Sequence, residues 1–330
     1  MSSTSISILL PAYNAEQYIG DTIASIKAQT FDDYEVILVN DGSTDNTVDV
    51  ACQAIAADQR FKILDKAHSN LIDTLNRGLS QCSGHWIARI DADDLMHPQR
   101  LELQYHAIKD NPQTVLLATE FANFSASSAT EARDLLNTKL SLKDSSTTLV
   151  TEANLLAGDT VGHPTVMFNA AAAKQVGGYD KRYVHAEDFE YWLRLSSQGE
   201  VRLVNAQLTL RRMHTDNISR KNAGVQLFSS SVAREVYLRQ QRGETLPLLS
   251  EDLSAAARLL KLKNKVLARY WGEQLSNMFK HQSYQKATKL WLQAICVRPY
   301  PALLALRYCI RHYRTGSVLK RWIKPESENF

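Results

Sequence analysis

Short apolar runs alternate with helical spacings through the first 120 residues of the chain. The segments SISILL (5–10), YEVILV (34–39), FKILD (61–65), HWIARI (85–90) and TVLLAT (114–119) read as strands. Between them, Ile19, Ile23 and Ile26 fall at i, i+4 and i+7, as do Val48, Cys52 and Ile55. Leu71, Leu75 and Leu79 keep a four-residue step, and Leu101, Tyr105 and Ile108 return to the first spacing. Each set is one apolar helical face. Ser43 or Thr44 is placed to cap the second helix, and Pro98 suits the first turn of the fourth. Strand and helix alternating at this spacing predict right-handed crossovers and a mostly parallel sheet.

The pattern changes twice further on. Residues 121–160, rich in Ser, Thr and Ala, lack a strong period and predict irregular helix and loop. An ordered block follows over 161–219, with PTVMFN (164–169) as a strand and EDFEYWLRLSSQ (187–198) as a helix. From about residue 220 the spacing is helical throughout, starting with VQLFSSSVAREVYLRQQ (225–241), and Pro299 and Pro301 punctuate the last two helices.

Composition narrows the class only a little. Hydrophobic residues make up 44% and charged residues 22% of 330, an ordinary globular balance. The net charge of +3 makes no demand for nucleic acid. The four cysteines (Cys52, Cys82, Cys296 and Cys309) have no metal-like spacing and fit reduced thiols in a cytoplasmic protein. The start is read as neither signal peptide nor anchor, and no run approaches the ~20 apolar residues of a membrane span. Basic charge concentrates at residues 300–330, six Lys/Arg against two Glu. Two readings of that tail stay open: peripheral contact with anionic lipid or an acidic partner, or a capping helix with a solvated basic face.

Three polar loops follow predicted strands: PAYN (11–14), NDGSTD (40–45) and DADD (91–94). In an open parallel sheet the carboxyl ends of the strands form the ligand crevice, so all three point to one site. Each alone also fits turn chemistry. Neither common Gly-rich phosphate cradle is present. If the DADD segment is extended, Asp91 and Asp93 share a face, where each raises the other's pKa unless a cation intervenes. A hard divalent ion such as Mg²⁺ or Mn²⁺ prefers such oxygen ligands and can share a diphosphate. Asp94 alone is accounted for by the dipole of the following helix.

The ordered series PAYN, NDGSTD, LNRG, RIDADDLMHPQR, HPTVMFN, GGYD, AEDFEYWLRL and RRMHTDNIS, over about residues 5–219, resembles a family 2 glycosyltransferase with the GT-A fold. Within that family it is most similar to bacterial members that build surface polysaccharides. The resemblance implies a GT-A domain over 1–219, with a nucleotide-binding half (1–120) and an acceptor half (121–219). A helical region, 220–330, is not covered by it.

The resemblance also implies roles. Pro11, Tyr13 and Asp41 would hold the nucleotide, Asp41 at the base edge, with Asn76 and Arg77 lining the nucleotide-sugar pocket. Asp91 and Asp93 form the DxD pair, Asp93 on the metal and Asp91 on ribose or metal. His214 would be a late metal or diphosphate ligand, with Arg212 beside the diphosphate. Asp188 would be the catalytic base, and His163 and Glu187 would lie on the acceptor side. One departure is Asn70 or Leu71, where many relatives carry Gly, which puts contacts from residues 66–70 in question.

The implied reaction is inverting transfer from a nucleotide-diphosphate sugar, UDP by resemblance, to a hydroxyl of a saccharide or lipid-linked saccharide, assisted by Mn²⁺ or Mg²⁺. The expected location is the cytoplasm, with peripheral contact at the inner membrane face where the basic helices allow it. A helix N-terminus at Glu187–Asp188 opposes a basic Asp188, since the positive helix end stabilises carboxylate, whereas crowding with Glu187 or burial favours it. Two other classes compete: a metal-dependent nucleotidyltransferase, which normally has an early Gly/Lys/Arg-rich phosphate loop, and a non-catalytic nucleotide-sugar-binding relative.

Overall fold

The computed structural model describes residues 4–125, 134, 136–158, 160–214 and 223–244. The described residues divide into two compact units, the first within 1–181 and 187–221, the second within 182–186 and 222–330. The first is built on a nine-stranded sheet: β1 (Ile6–Ala12), β2 (Tyr34–Asn40), β3 (Phe61–Asp65), β4 (Trp86–Arg89), β5 (Leu95–Met96), β6 (Thr114–Ser125), β7 (Thr147–Leu149), β8 (Met167–Asn169) and β9 (Glu200–Met213). The order is β3-β2-β1-β4-β8-β6-β9-β5, with β7 also on β9.

The expected parallel arrangement occupies β3-β2-β1-β4. All seven residues of β1 are buried. Such a strand is covered on both faces, which is why it reads as an unbroken apolar run. Beyond β4 the sheet is mixed: β8 runs antiparallel to β4 and β6, while β9 runs parallel to β6 and antiparallel to β5 and β7. PTVMFN is a strand only from Met167, because His163–Thr165 forms a 3₁₀ turn.

The helices are α1 (Ile19–Lys27), α2 (Thr47–Ile55), α3 (Leu71–Leu79), α4 (Arg100–Asp110), α5 (Glu152–Ala157), α6 (Ala170–Val176), α7 (Glu187–Leu195) and, in the second unit, α8 (Ala223–Gln241). Ile19, Ile23 and Ile26 are buried as their spacing predicts. In α2 the buried residues are Thr47, Ala51 and Ile55, not Val48 and Cys52, and Cys52 is exposed. Its start is not capped by Ser43 or Thr44. Asp45 accepts the Thr47 N–H at 3.0 Å, while Ser43 and Thr44 bond to Asn14. Pro98 lies ahead of α4, in a turn whose carbonyl accepts the Thr30 N–H. Asn70 caps α3 by accepting the Asp73 N–H at 2.9 Å, giving the residue that departs from the family pattern a local role. Of the helices expected after residue 220, the one at 225–241 is α8; the others lie outside the described residues. No described helix is long and apolar enough to cross a membrane.

The helix α1 carries, with Gln29 just beyond its end, a buried polar stripe that holds the DADD loop. Its Thr22 hydroxyl lies 2.9 Å from both the Ala92 and Asp94 carbonyls, and Ser25 Oγ accepts the Met96 N–H at 3.1 Å. Gln29 donates to the His97 carbonyl at 2.8 Å and accepts the Leu101 N–H at 3.0 Å. The pairing of Leu95 with Leu210 and Met96 with Thr209 pins the far side of the loop to β9.

Gly84, just ahead of β4, packs against the backbone of β1: an added Cβ there would lie 2.5 Å from Ser7 N and 2.7 Å from Ile6 C. Backbone atoms cannot swing aside. Gly84→Ala is therefore expected to destabilise the fold by about 1–3 kcal/mol, the usual range for overpacking. Urea unfolding measures this, and an unchanged midpoint would show that the strands can part without cost.

Candidate active site

The first two polar loops are stitched to each other. Asn14 Oδ1 accepts the Thr44 N–H at 2.8 Å, Thr47 Oγ1 accepts the Ala15 N–H at 2.7 Å, and Glu16 Oε2 accepts the Asn46 N–H at 2.9 Å. Most polar residues of PAYN and NDGSTD are thus consumed in building the edge of the sheet. Asp41 is the exception. Buried at the end of β2, it pairs with Lys66, accepts the Ser69 N–H at 3.1 Å and lies 3.0 Å from His68 Nδ1. The His68 ring stacks on exposed Tyr13 at 4.2 Å between centroids. Residues 66–69, left in question by the sequence, therefore converge on Asp41, and Lys66 and His68 join Tyr13 around it. Pro11 is buried within β1, opposite Val39.

The DADD segment is not extended. It turns, the Asp94 N–H reaching back to the Asp91 carbonyl at 3.3 Å, and brings carboxylate oxygens of Asp91, Asp93 and Asp94 within 4.8 Å of one another. Alternation along an extended strand therefore does not bring Asp91 and Asp93 together; the turn does, and it gathers Asp94 with them. Asp91 forms a two-pronged ion pair with buried Arg89. Asp94 accepts the Arg212 N–H at 2.8 Å, and Asp93 Oδ2 accepts from His214 Nε2 at the same distance. Burial, then the charge of Asp91, raises the Asp93 carboxyl above its ordinary range. Asp94 rises well above it through burial and both neighbouring acids. Arg89 pairs directly with Asp91 alone among the three acids, and a bound cation would favour the charged forms of Asp93 and Asp94. Hard oxygen donors joined by one imidazole suit Mn²⁺ or Mg²⁺, so these residues fit a divalent ion.

Arg212, expected beside a diphosphate, is buried as a brace. Its Nε donates to the Asp93 carbonyl at 2.9 Å and its Nη2 to Asp21 at 3.1 Å.

Behind the acids lies a buried aromatic group. Asn76 uses both ends of its amide on Tyr179, donating to the carbonyl and accepting the N–H, each at 2.8 Å. Arg77 is exposed on α3. Arg194 pairs with Glu190 and donates to the carbonyls of Val176 and Gly178, tying α7 to the GGYD turn. His163 Nε2 and the Tyr179 hydroxyl share a 3.0 Å hydrogen bond, and burial, followed by the charge of Arg89, holds His163 well below its usual pKa and hence neutral. Glu187 is buried in the first turn of α7. Asp188, beside it, accepts the Phe189 N–H at 2.7 Å. It retains some accessible surface, but dense surroundings raise its carboxyl. Burial is the largest influence; the Phe189 N–H and Arg89 oppose it, and Asp91 adds to it. The contest between helix terminus and burial goes to burial.

The family Glycosyl transferase family 2 matches residues 7–171, half of the chain. The putative glycosyltransferase EpsE of Bacillus subtilis (strain 168) is 30% identical over 284 residues, covering 84% of this chain and 96% of the relative. The chain belongs to glycosyl transferase family 2. Chondroitin synthase of Pasteurella multocida (strain Pm70) is 27% identical over 237 residues, 72% of this chain. The family 2 chain described here spans only 23% of that relative's length. Among solved structures, S. aureus TarS 1-349 in complex with UDP-GlcNAc superposes with a TM-score of 0.62 at 16% identity, over 96% of this chain and 92% of that one. The mannosyltransferase PcManGT from Pyrobaculum calidifontis, in complex with GDP-Man and Mn²⁺, gives 0.53 at 15% identity, over 96% and 82%. At these identities the likeness establishes the fold, the α/β GT-A arrangement.

The sequence assigns no role to Arg89 and leaves contacts from Lys66 and His68 in question. Arg89 alone carried a signal, a charged residue inside an apolar strand two positions before the acids.

Proposed function

We propose that this family 2 member is an inverting glycosyltransferase that moves a sugar from a nucleotide-diphosphate donor, UDP-linked, to a hydroxyl of a surface-polysaccharide or lipopolysaccharide acceptor. The observation that carries the reading is electrostatic. A cluster of three acids and a carboxyl of raised pKa, Asp188, both lie within the field of buried Arg89.

Asp41 and Tyr13 take the base, with Lys66 and His68 beside them. Asp93 and His214 hold the divalent ion, with Asp91 and Asp94 supplying further negative charge. When bound, such an ion stabilises the charge that builds on a leaving diphosphate. Asp188 accepts the proton of the acceptor hydroxyl as its oxygen attacks the anomeric carbon from the face opposite the departing nucleotide. Arg89 keeps Asp91 paired, and its charge opposes the rise of the Asp188 carboxyl. The UDP-GlcNAc complex of TarS and the GDP-Man complex of PcManGT support a nucleotide-sugar donor by analogy of fold. The reaction belongs in the cytoplasm or at the inner membrane face, where nucleotide sugars meet lipid-linked acceptors.

A donor panel tests this. The full chain with Mn²⁺ is incubated with UDP-, GDP- and dTDP-sugars, and released nucleotide is measured by chromatography. Release from UDP-sugars, with inversion at the anomeric carbon seen by NMR, is expected. No release and no thermal protection from any donor would refute the reading.

A further inference from the structure

We propose that Tyr18 is a positioning residue for the cation site: its ring, clamped by Arg212, fixes the His214 imidazole against Asp93. The inference rests on the reading of Asp93 and His214 as metal ligands.

Tyr18 directly precedes α1, its N–H bonded to the Ala15 carbonyl at 2.9 Å. Its ring stacks on that of His214, with centroids 5.2 Å apart and planes 25° apart. The Arg212 guanidinium carbon lies 4.8 Å from the Tyr18 centroid and 4.8 Å from that of Phe124. The edge of that guanidinium is bound as well, to the Asp93 carbonyl at 2.9 Å and to Asp21 at 3.1 Å. Asp21 stands three residues after Tyr18, a spacing that shares one helical face. Arg212 is therefore held by two rings and by two hydrogen-bond acceptors, and its own backbone N–H holds Asp94 at 2.8 Å.

His214 follows two residues later, at the end of β9. An imidazole there has two side-chain torsions, and only a narrow range of them aims Nε2 at Asp93, 2.8 Å away. A flat ring alongside removes most of that freedom, and neighbours of this kind usually govern ligand orientation and affinity. The contact uses the face of Tyr18, not its hydroxyl. Phe should replace it, and Leu, which keeps the apolar bulk without a flat face, should not.

Mn²⁺ alone is titrated into the full chain, and the free ion is followed by its EPR signal. Wild type and Tyr18→Phe should bind within about two-fold of each other, whereas Tyr18→Leu should bind roughly 10–100-fold more weakly. Asp93→Ala should lose binding. If Tyr18→Leu binds like wild type while Asp93→Ala does not, the role of Tyr18 is overturned and the metal reading stands. If Asp93→Ala binds like wild type, or wild type binds no Mn²⁺, both fall. Should circular dichroism show Tyr18→Leu unfolded, Arg212→Lys decides: lysine keeps the charge but cannot lie flat between two rings. Weakened binding supports the clamp, and unchanged binding overturns it.

Discussion

Asp188→Asn is expected to lower kcat by about 10²–10⁴-fold, the contribution of a positioned general base, while donor affinity stays within about two-fold. Asparagine is nearly isosteric, and its carbonyl oxygen can still accept the Phe189 N–H that Asp188 takes at 2.7 Å. The fold at the start of α7 should therefore survive. The pH dependence separates this role from a structural one. Burial raises the Asp188 carboxyl above its ordinary range, against the pull of the Phe189 N–H and Arg89. A base works only when deprotonated, so kcat/KM should fall as pH drops through that raised value, in a limb above the ~3.9 of a free aspartate. Asparagine has no proton to lose, and the residual activity of the variant should lack the limb. A variant retaining both wild-type turnover and the acid limb would remove Asp188 from the chemistry.

How much of this was legible in the sequence depended on whether a residue's environment is local. β1 and β2 are covered on both faces, so their burial is written as continuous apolar runs. α2 misled in part: Ile55 is buried as its spacing predicts, but the rest of the buried side is the small residues Thr47 and Ala51, while the more apolar Val48 and Cys52 are left partly or fully exposed. The stripe of Thr22 and Ser25 on α1 and Gln29 just beyond it is invisible to an apolar count, since its partners are backbone groups of residues 92–101 that nothing local announces. β9 was not assigned. Its alternation breaks near Asn205–Gln207, where its register with β6 shifts around Glu120, and a broken period hides a strand from a pattern search.

The acids themselves were legible as a charge problem, because three carboxylates in four positions need an explanation in any fold. Their partners were not. Arg212 and His214 lie about 120 residues downstream and reach the cluster only because β9 ends there. For His214 and Asp188 the family likeness supplied what local physics could not. For Arg212 it suggested a ligand-facing role, whereas the side chain is spent on Asp21 and the Asp93 carbonyl.

Asp93→Ala should abolish metal-dependent donor binding and cut kcat/KM by about 10³-fold or more, a loss of roughly 4 kcal/mol, as expected when a metal no longer stabilises the leaving group. Chelation of wild type should match it, and restored Mn²⁺ should rescue wild type alone. Stability should move the other way. In the metal-free protein Asp93 and Asp94 both have carboxyls raised by burial and by neighbouring acids. A folded-state value above the unfolded one means that the fold holds those protons more tightly than the unfolded chain does. Metal-free stability therefore falls as pH rises through the raised values. Removing Asp93 relieves repulsion with Asp91 and Asp94 at the cost of its hydrogen bond from His214, a smaller loss than the repulsion it removes. The variant should thus melt at or above the temperature of metal-free wild type at neutral pH. Added Mn²⁺ should raise the wild-type midpoint, since a ligand that binds only the folded state stabilises it, and leave the variant unmoved. A variant that melts lower without metal yet still gains from Mn²⁺ would mean that Asp93 holds His214 for structural reasons and that the ion, if bound, sits elsewhere.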